Sequence, residues 1–326
     1  RANGSVRAMV RQVLGEFRGR GDLFALLVPF SFAFYRKFGF EACARNLEVR
    51  LPIAQLAPFE LTCSVRQVSA ATDVEILRGL YERFAIDKNL VIRRSDEAWE
   101  WRGNGEFGQR DWMSKDRQRY TYLFEEAGAT AGANAVHAHG YLTFYFEAGE
   151  AGPFIGTMRA EELVYDSPRV LRDILGFIYG MRGKLTDAVI HPKGGEDPAL
   201  LVPGPAEVET RVEGHLMARV LDVRRMLKAM RYPCEAGRFS LVVEDDFMTE
   251  NAGCYDVTFA GGVAQSVERV DSAASSVPAD LVVDETTLTQ LVLGLVDLRG
   301  AELRPTTVVN ANRGTLERVF VRKAVW

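Results

Sequence analysis

Apolar residues recur at helical spacing near the start of the chain. Between residues 5 and 18 the apolar positions are Val6, Met9, Val10, Val13, Leu14 and Phe17. Steps of three and four residues put them on one side of an α-helix. Gly19 and Gly21 follow, and glycine commonly ends a helix. The continuous apolar run LFALLVPF (23–30) then predicts a buried strand.

The same kinds of pattern predict helices and strands along the rest of the chain. A short helix over 34–39 ends at Gly39, and the strand 40–52 follows it. Further helices are predicted at 73–86, 168–182 and 224–230. Further strands are predicted at 136–147, 153–165, 187–192, 215–223, 238–246, 254–262 and 262–270. The segment 280–295 predicts a strand and then a helix, with Asp284 as the N-cap.

Two stretches interrupt this pattern. Residues 99–120 are aromatic, charged and glycine-bearing, which indicates a long surface connection. Residues 192–209 are dense in Pro and Gly, which indicates a boundary loop. We therefore expect three domains, with bounds at 1–62, 63–208 and 209–326.

The composition is that of a globular protein. The chain has 326 residues, of which 47% are apolar, and a formal charge of -4. This small charge gives no argument for nucleic-acid or membrane partners, and no apolar run reaches the roughly 20 residues of a membrane-spanning helix. The four cysteines are widely spaced, which favours reduced thiols and a cytoplasmic location.

The first stretch with candidate chemistry is RANGSVR (1–7). A glycine at the mouth of a helix lets an anion approach the free N–H groups of the first turn, where the helix dipole favours negative charge. Arg1 and Arg7 would add charge-assisted bonds to a phosphate. The alternative is an ordinary turn with two solvated arginines.

The second stretch is FAFYRKFGFE (32–41), where Tyr35 stands among phenylalanines. A phenol is protonated at neutral pH and can give its proton to a departing thiolate. Arg36 and Lys37 would favour the phenolate if they face it. The alternative is an interfacial tyrosine with its hydroxyl in water.

Together these two stretches resemble the GNAT superfamily of N-acetyltransferases. In that family an arginine/glutamine-x-x-glycine-x-glycine/alanine loop holds the pyrophosphate of acetyl-CoA, and an FYxKxGF segment supplies a general-acid tyrosine. Here Arg1, Gly4 and Val6 match the loop, with valine in place of the usual small residue. The tyrosine segment matches closely.

The rest of the chain is similar to the enhanced intracellular survival (Eis) family. The segments that carry this resemblance are YERFAIDKNLVIRRSDEAWEW, HLMARVLDVRRMLKAMRY and LVVDETTLTQLVLGL. The resemblance implies a mixed α/β (α+β) chain, in which tandem GNAT and GNAT-like domains precede a sterol carrier protein-like α+β domain. It also implies a metal-free, acetyl-CoA-dependent N-acetyltransferase that forms homohexamers. The acceptor would be an aminoglycoside-, polyamine- or lysine-like amine.

The resemblance assigns roles residue by residue. Tyr35 would protonate the coenzyme A thiolate. The pyrophosphate cradle would comprise Arg1, Ala2, Asn3, Gly4, Ser5, Val6 and Arg7. Phe30 and Ser31 would border the cofactor. The family's preceding strand is absent, so we expect that an N-terminal part of the domain is missing from this sequence.

The resemblance also makes the chain's terminal carboxylate a candidate base for the amine. Trp326 is that residue here. The family's tail carries a tryptophan a few residues before an aromatic terminus, so VRKAVW would match that tryptophan, with the true terminus beyond it.

The remaining candidates have alternatives that the sequence leaves open. His137 and His139 share a strand face but lack a third metal ligand nearby. Trp99 and Trp101 would line a substrate mouth or pack in a core. The acidic run Glu244, Asp245 and Asp246 is typical of a solvated turn. The competing function is a non-catalytic protein that binds lipids or other small molecules in its sterol carrier-like domain.

Overall fold

The computed structural model describes residues 2–68, 73–103, 118–126, 137–149, 152–192, 197–270 and 278–323. The α-helices are α1 (Ala2–Arg20), α2 (Phe32–Arg36), α3 (Asp73–Ala85), α4 (Asp96–Gly103), α5 (Pro168–Gly180), α6 (Val223–Ala229), α7 (Glu285–Leu293), α8 (Leu298–Ala301) and α9 (Arg313–Val319). The strands are β1 (Phe24–Leu27), β2 (Glu41–Pro52), β3 (Ser64–Gln67), β4 (Arg119–Glu125), β5 (Ala138–Gly149), β6 (Gly152–Tyr165), β7 (Leu185–Ile190), β8 (Glu209–Val220), β9 (Gly237–Glu244), β10 (Gly253–Ala260), β11 (Val263–Val270), β12 (Leu281–Asp284) and β13 (Val308–Val309). Short 3-10 helices lie at Ile53–Leu56, Pro198–Leu201 and Pro205–Glu207.

The chain divides into two compact units. The terminal unit comprises the residues up to Arg45 together with those from Gly214 onward, and the central unit comprises Asn46–Glu213. Both contain helices and strands, so the predicted mixed α/β class is confirmed. The predicted three-domain division stays a prediction.

In the terminal unit, five of the described strands form a sheet in the order β11-β10-β9-β12-β13. β9, β10 and β11 form the predicted antiparallel meander, and β12 lies parallel to β9. Phe239, Leu241 and Val243 on β9 are all buried, as their alternation predicts. α6 packs against β11, and α7 and α9 pack against β9. The predicted N-cap is confirmed, because Asp284 accepts the Thr287 N–H at 2.6 Å.

The start of the chain packs on a core of its own within the terminal unit. β1 pairs antiparallel with the end of β8, and Phe24 lies opposite Val220. Leu14 of α1 is buried in a cluster that also holds Phe38, Phe40, Met217, Leu221, Phe247 and Met248. Met9 and Val13 were expected on the same apolar face but are exposed. The buried stripe of α1 is therefore narrower than the sequence pattern predicted.

In the central unit the strands lie in the order β2-β7-β6-β5-β4-β3. β6 and β7 are parallel, and α5 connects them. The side of α5 that carries Leu171, Ile174, Leu175 and Ile178 is buried in the core. α5 thus begins directly beyond the end of β6, which fixes the position of the side chains on its first turns.

Several elements differ from the sequence predictions. β3, β4, α4, α8, α9 and β13 were not predicted. β4 and α4 lie partly inside the expected surface connection. They were not predicted because their aromatic and charged residues show no clear periodicity. β8 begins at Glu209, six residues before the predicted strand. Among the described residues, no helix combines the length and hydrophobicity needed to cross a membrane.

Candidate active site

The first turn of α1 is open to solvent. The helix begins at Ala2, so Gly4 and Ser5 lie inside its first turn rather than in a preceding loop. Both residues are exposed, and a Cβ placed on Gly4 would meet no atom of the described residues within 4 Å. The first N–H groups of a helix have no acceptor within it. The space above Gly4 is therefore free for an anionic group, which the helix dipole would stabilise.

The neighbouring residues divide between the core and the surface. Val6 packs against the cluster around Phe38 and Phe247. Arg7 is exposed, and its guanidinium carbon lies 4.8 Å from the centre of the Phe247 ring. Stacking holds a guanidinium in place while its N–H groups stay available to an anion. Arg1 lies outside the described residues, and Ala2 and Asn3 are the first two residues of α1.

Tyr35 lies on α2, in a group of aromatic rings. Ser31 caps this helix by accepting the Phe34 N–H at 3.3 Å. The Tyr35 ring is half-buried, and its centre lies 5.2 Å from those of Phe30 and Phe34. Phe30 is 76% exposed. Since no hydrogen bond joins the Tyr35 hydroxyl to another described residue, the hydroxyl stays available to a ligand.

The turn after α2 is fixed by backbone bonds. The Tyr35 carbonyl accepts the N–H groups of Phe38, at 2.9 Å, and Phe40, at 3.3 Å. Gly39 between them has φ +76°, a conformation that side-chain-bearing residues adopt at a cost. The predicted end of the helix at Gly39 is thus a turn, since α2 itself ends at Arg36.

The fully buried side chain of Arg219 hydrogen-bonds to this turn. Arg219 donates to the Phe38 carbonyl at 2.5 Å and to both carboxylate oxygens of Asp245, at 2.5 and 2.7 Å. Asp245 is 3% exposed and also accepts the N–H groups of Phe247 and Met248. The expectation that Asp245 belongs to a solvated turn was wrong, although its neighbours Glu244 and Asp246 are exposed. Asp245 is buried because it neutralises Arg219.

Arg36, which follows Tyr35 in sequence, pairs with a carboxylate and not with the phenol. Arg36 donates to Glu41 through Nε, at 3.0 Å, and Nη2, at 2.8 Å. Burial raises the pKa of Glu41, but the bonds from Arg36 and the Ala42 N–H and the charge of Arg304 outweigh it and leave that pKa below its usual value. Arg36 therefore closes the turn after α2 and does not serve as a partner of the phenol.

In the terminal unit, predicted site residues from α1 and α2 pack against the same buried cluster. Val6 from the first turn of α1 and Tyr35 from α2 both pack against the buried cluster of Phe38, Phe40 and Phe247. The exposed start of α1 and the phenol are thus carried by the same core. Chemically, a helix start can bind an anionic group, and a phenol can donate a proton.

The other candidates fall outside this group. His137 and His139 face Glu126, at 3.2 and 3.5 Å, and the described residues contain no cluster that could hold a metal ion. Trp99 is 3% exposed and packs edge-on against Tyr81, which favours the packing role. The side chain of Trp101 and the whole of Trp326 lie outside the described residues.

Two regions of the chain match known families. Residues 1–43 match the family described as an acetyltransferase (GNAT) domain, and residues 223–326 match the family described as a sterol carrier protein domain. Comparison with curated proteins gave no significant match. The first match covers α1 and Tyr35, and the second covers the five-stranded sheet of the terminal unit.

Solved structures share the fold along nearly the whole chain. A GCN5-related N-acetyltransferase from Anabaena variabilis has a TM-score of 0.80 at 20% identity, over 100% of this chain and 77% of that one. A probable N-acyltransferase from Enterococcus faecalis has a TM-score of 0.76 at 20% identity, over 98% and 76%. Eis1 from Mycobacterium abscessus has a TM-score of 0.74 at 20% identity, over 99% and 78%.

These comparisons define the class of protein. The chain has the fold of GCN5-related N-acetyltransferases, and its first 43 residues match the acetyltransferase domain itself. The predicted GNAT resemblance is confirmed, and the findings support an acyltransferase. A GNAT domain implies use of acetyl-CoA and an amine acceptor.

Sequence reasoning missed the residues that support Tyr35. Arg219, Asp245 and Glu41 are far apart in sequence or belong to charged runs that normally lie on surfaces. A charged residue at an apolar position of a predicted strand was the available signal, since Arg219 follows Leu216, Met217 and Ala218.

Proposed function

We propose that this protein transfers the acetyl group of acetyl-CoA directly to an amine, with Tyr35 as the general acid. The observation that carries the proposal is the shared support of the first turn of α1 and of Tyr35 by one buried cluster. The match of residues 1–43 to a GNAT domain adds to it. The acceptor would be an aminoglycoside-, polyamine- or lysine-like amine.

The open first turn of α1 fits the pyrophosphate of acetyl-CoA. The absence of a side chain at Gly4 and the exposed guanidinium of Arg7 support this proposal, since Arg7 would pair with the phosphate oxygens. The site would comprise Arg1, Ala2, Asn3, Gly4, Ser5, Val6 and Arg7, with Phe30 and Ser31 at its border. A substituent on the α-carbon of Gly4 would occupy the space that the phosphate needs.

The proposed reaction is the direct transfer that the family resemblance implies. The amine nitrogen, after losing a proton, attacks the thioester carbonyl carbon. The carbon–sulfur bond breaks, and the Tyr35 hydroxyl gives its proton to the leaving sulfur. Positioning of the two substrates would supply much of the acceleration, and proton donation a further ~10²–10⁴-fold.

The remaining elements of the proposal come from the Eis resemblance. The chain would be organised as domains 1–62, 63–208 and 209–326 in a cytoplasmic homohexamer. A terminal carboxylate, at Trp326 or beyond it, would take the proton from the amine. The sterol carrier-like domain would serve as a scaffold for that tail.

The test compares two tyrosine variants. Thiol release from acetyl-CoA is measured with aminoglycosides, polyamines and lysine peptides as acceptors. Tyr35→Phe is expected to lower kcat by ~10²–10⁴-fold because it removes the proton donor. Tyr179→Phe, on α5 of the central unit, is the matched control and is expected to retain full activity.

Two outcomes would contradict the proposal. Full turnover by Tyr35→Phe would remove that residue as the acid. Stoichiometric lipid binding without acetyl-CoA affinity would favour the second candidate, a non-catalytic lipid-binding protein. The match of residues 223–326 to a sterol carrier protein domain is the observation that supports that candidate.

A further inference from the structure

A cavity in the central unit lies beside the first turns of α5. It has a volume of about 380 Å³ and is lined in part by Ser167, Val170 and Asp173 around α5 and by Phe124 at the end of β4. Small-molecule sites typically begin at about 300 Å³. The cavity is therefore large enough for a ligand of a few heavy atoms.

Asp173 supplies this cavity with a buried carboxylate. The residue is 2% exposed, and its Oδ1 accepts the Thr62 N–H at 2.6 Å and the Thr62 hydroxyl at 2.9 Å. Its Oδ2 is buried without a hydrogen-bond partner among the described residues. An unpaired carboxylate oxygen is costly to bury, so a donor at this position would stabilise the site.

The other charges around the cavity leave its negative character in place. Glu125 is already neutralised by Arg66, with both carboxylate oxygens 3.1 Å from Nε. Glu126 lies at the exposed rim, and hydrogen bonds from His137 and His139 lower its pKa. Arg169 also lines the cavity, but it is exposed. The cavity therefore offers a cationic ligand the buried Asp173 and, at its rim, the carboxylate that already contacts the two histidines.

The rest of the lining combines two apolar side chains, Phe124 and Val170, with Ser167, Cys63 and His139. Phe124 and Val170 are both buried. Burial, reinforced by the charge of Asp173, raises the pKa of the Cys63 thiol to about 11. Cys63 therefore stays a neutral thiol at pH 7 and adds no third negative charge. A ligand that fits this wall has an apolar body next to its charged group.

We propose that this cavity binds a small organic cation, namely a primary alkylammonium. Its N–H groups would bind Asp173 Oδ2 and the carboxylate of Glu126, and its alkyl chain would lie along Phe124 and Val170. The site belongs to the central unit and does not depend on acetyl transfer.

Calorimetric titration with n-butylammonium chloride tests the proposal on the whole protein without acetyl-CoA. One equivalent is expected to bind, whereas neutral 1-butanol and anionic butyrate bind at least tenfold more weakly. Asp173→Asn keeps an acceptor for Thr62 but removes the charge, so it is expected to weaken binding at least tenfold. Glu209→Gln, at an exposed position of the central unit, is the matched control and should bind like the wild type.

A second variant and a chemical probe locate the site. Glu126→Gln changes only an exposed rim residue and is expected to weaken binding several-fold even if Asp173→Asn does not fold. In a Cys234→Ser background, which removes an exposed thiol, n-butylammonium should slow alkylation of Cys63. Absence of binding, equal binding of butyrate or butanol, unchanged affinity in both carboxylate variants, or unprotected Cys63 would each overturn the proposal.

Discussion

The starts of α1 and α5 have different charged side chains around them. Each helix leads into a strand of its own unit, β1 after α1 and β7 after α5. The first turn of α1 contains no acidic residue and has Arg7 beside an open glycine. The first turn of α5 also contains no acidic residue, but the cavity beside this helix is lined by Asp173 and Glu126 as well as by the exposed Arg169. A helix N-terminus favours anions by its dipole, and on both proposals the neighbouring side chains would decide which charge binds.

One buried carboxylate in each unit, Asp245 and Asp173, also differs in how it is paired. In the terminal unit, Arg219 and Asp245 neutralise each other at 2.5 Å and support the turn that follows Tyr35. In the central unit, Asp173 keeps one oxygen without a partner among the described residues. A paired buried charge fixes a structure, whereas an unpaired one is available to a ligand.

The largest effect that we expect in either region is the loss of stability caused by Gly39→Ala. Its Cβ would lie 1.5 Å from Nη1 of Arg219, at a residue with φ +76°. Left-handed strain and overpacking together should lower the free energy of unfolding by roughly 3 kcal/mol. Urea denaturation measures the loss. Gly183→Ala, in the turn after α5, meets no atom within 4 Å and is the control. Equal stability of the two variants would show that Arg219 does not hold this turn rigidly.

A smaller, pH-dependent effect is expected from Glu285→Gln. Burial, with the charge of Asp245, raises the pKa of Glu285 to about 7, although Arg219 opposes the shift. The folded protein therefore binds more protons than the unfolded chain between about pH 4.5 and 7, and Glu285 costs stability as the pH rises through that window. The variant should gain roughly 1–2 kcal/mol at pH 8 and close to nothing at pH 4.5.

Thermal denaturation at the two pH values measures this gain. Glu244→Gln, at the exposed end of β9, is the control and should show no such difference. A gain for Glu285→Gln that is the same at both pH values would contradict the assignment, since it would not come from titration of this carboxyl group.

The smallest effect is expected from Gly4→Ala, which has opposite consequences for stability and binding. Alanine favours the helix by up to about 1 kcal/mol, but its methyl group would occupy the open space of the proposed phosphate site. We expect a slightly higher melting temperature together with a KM for acetyl-CoA that is raised roughly three- to tenfold. Gly15→Ala in the same helix also meets no atom within 4 Å and should raise stability alone. Equal KM values for the two variants would remove Gly4 from the site.

Local sequence patterns were enough to predict many elements of the fold. The Asp284 cap and the alternation of Phe239, Leu241 and Val243 follow from neighbours a few residues apart, and both are confirmed. β4 and α4 were missed because their aromatic and charged residues follow no clear period. Periodicity indicates which face of an element is apolar, but it does not report what covers that face.

Local sequence patterns also predicted only part of the candidate site. The sequence by itself determined the small, basic start of α1 and the tyrosine in a short aromatic helix, since these depend on residue type and spacing. Only the tertiary structure decided that Arg36 binds Glu41 and that Arg219 supports the turn after Tyr35. It also decided that one oxygen of Asp173 has no partner within the described part of the chain. The physical reason is that the burial and pairing of a charge depend on residues up to 181 positions apart in the chain, and no local pattern encodes such contacts.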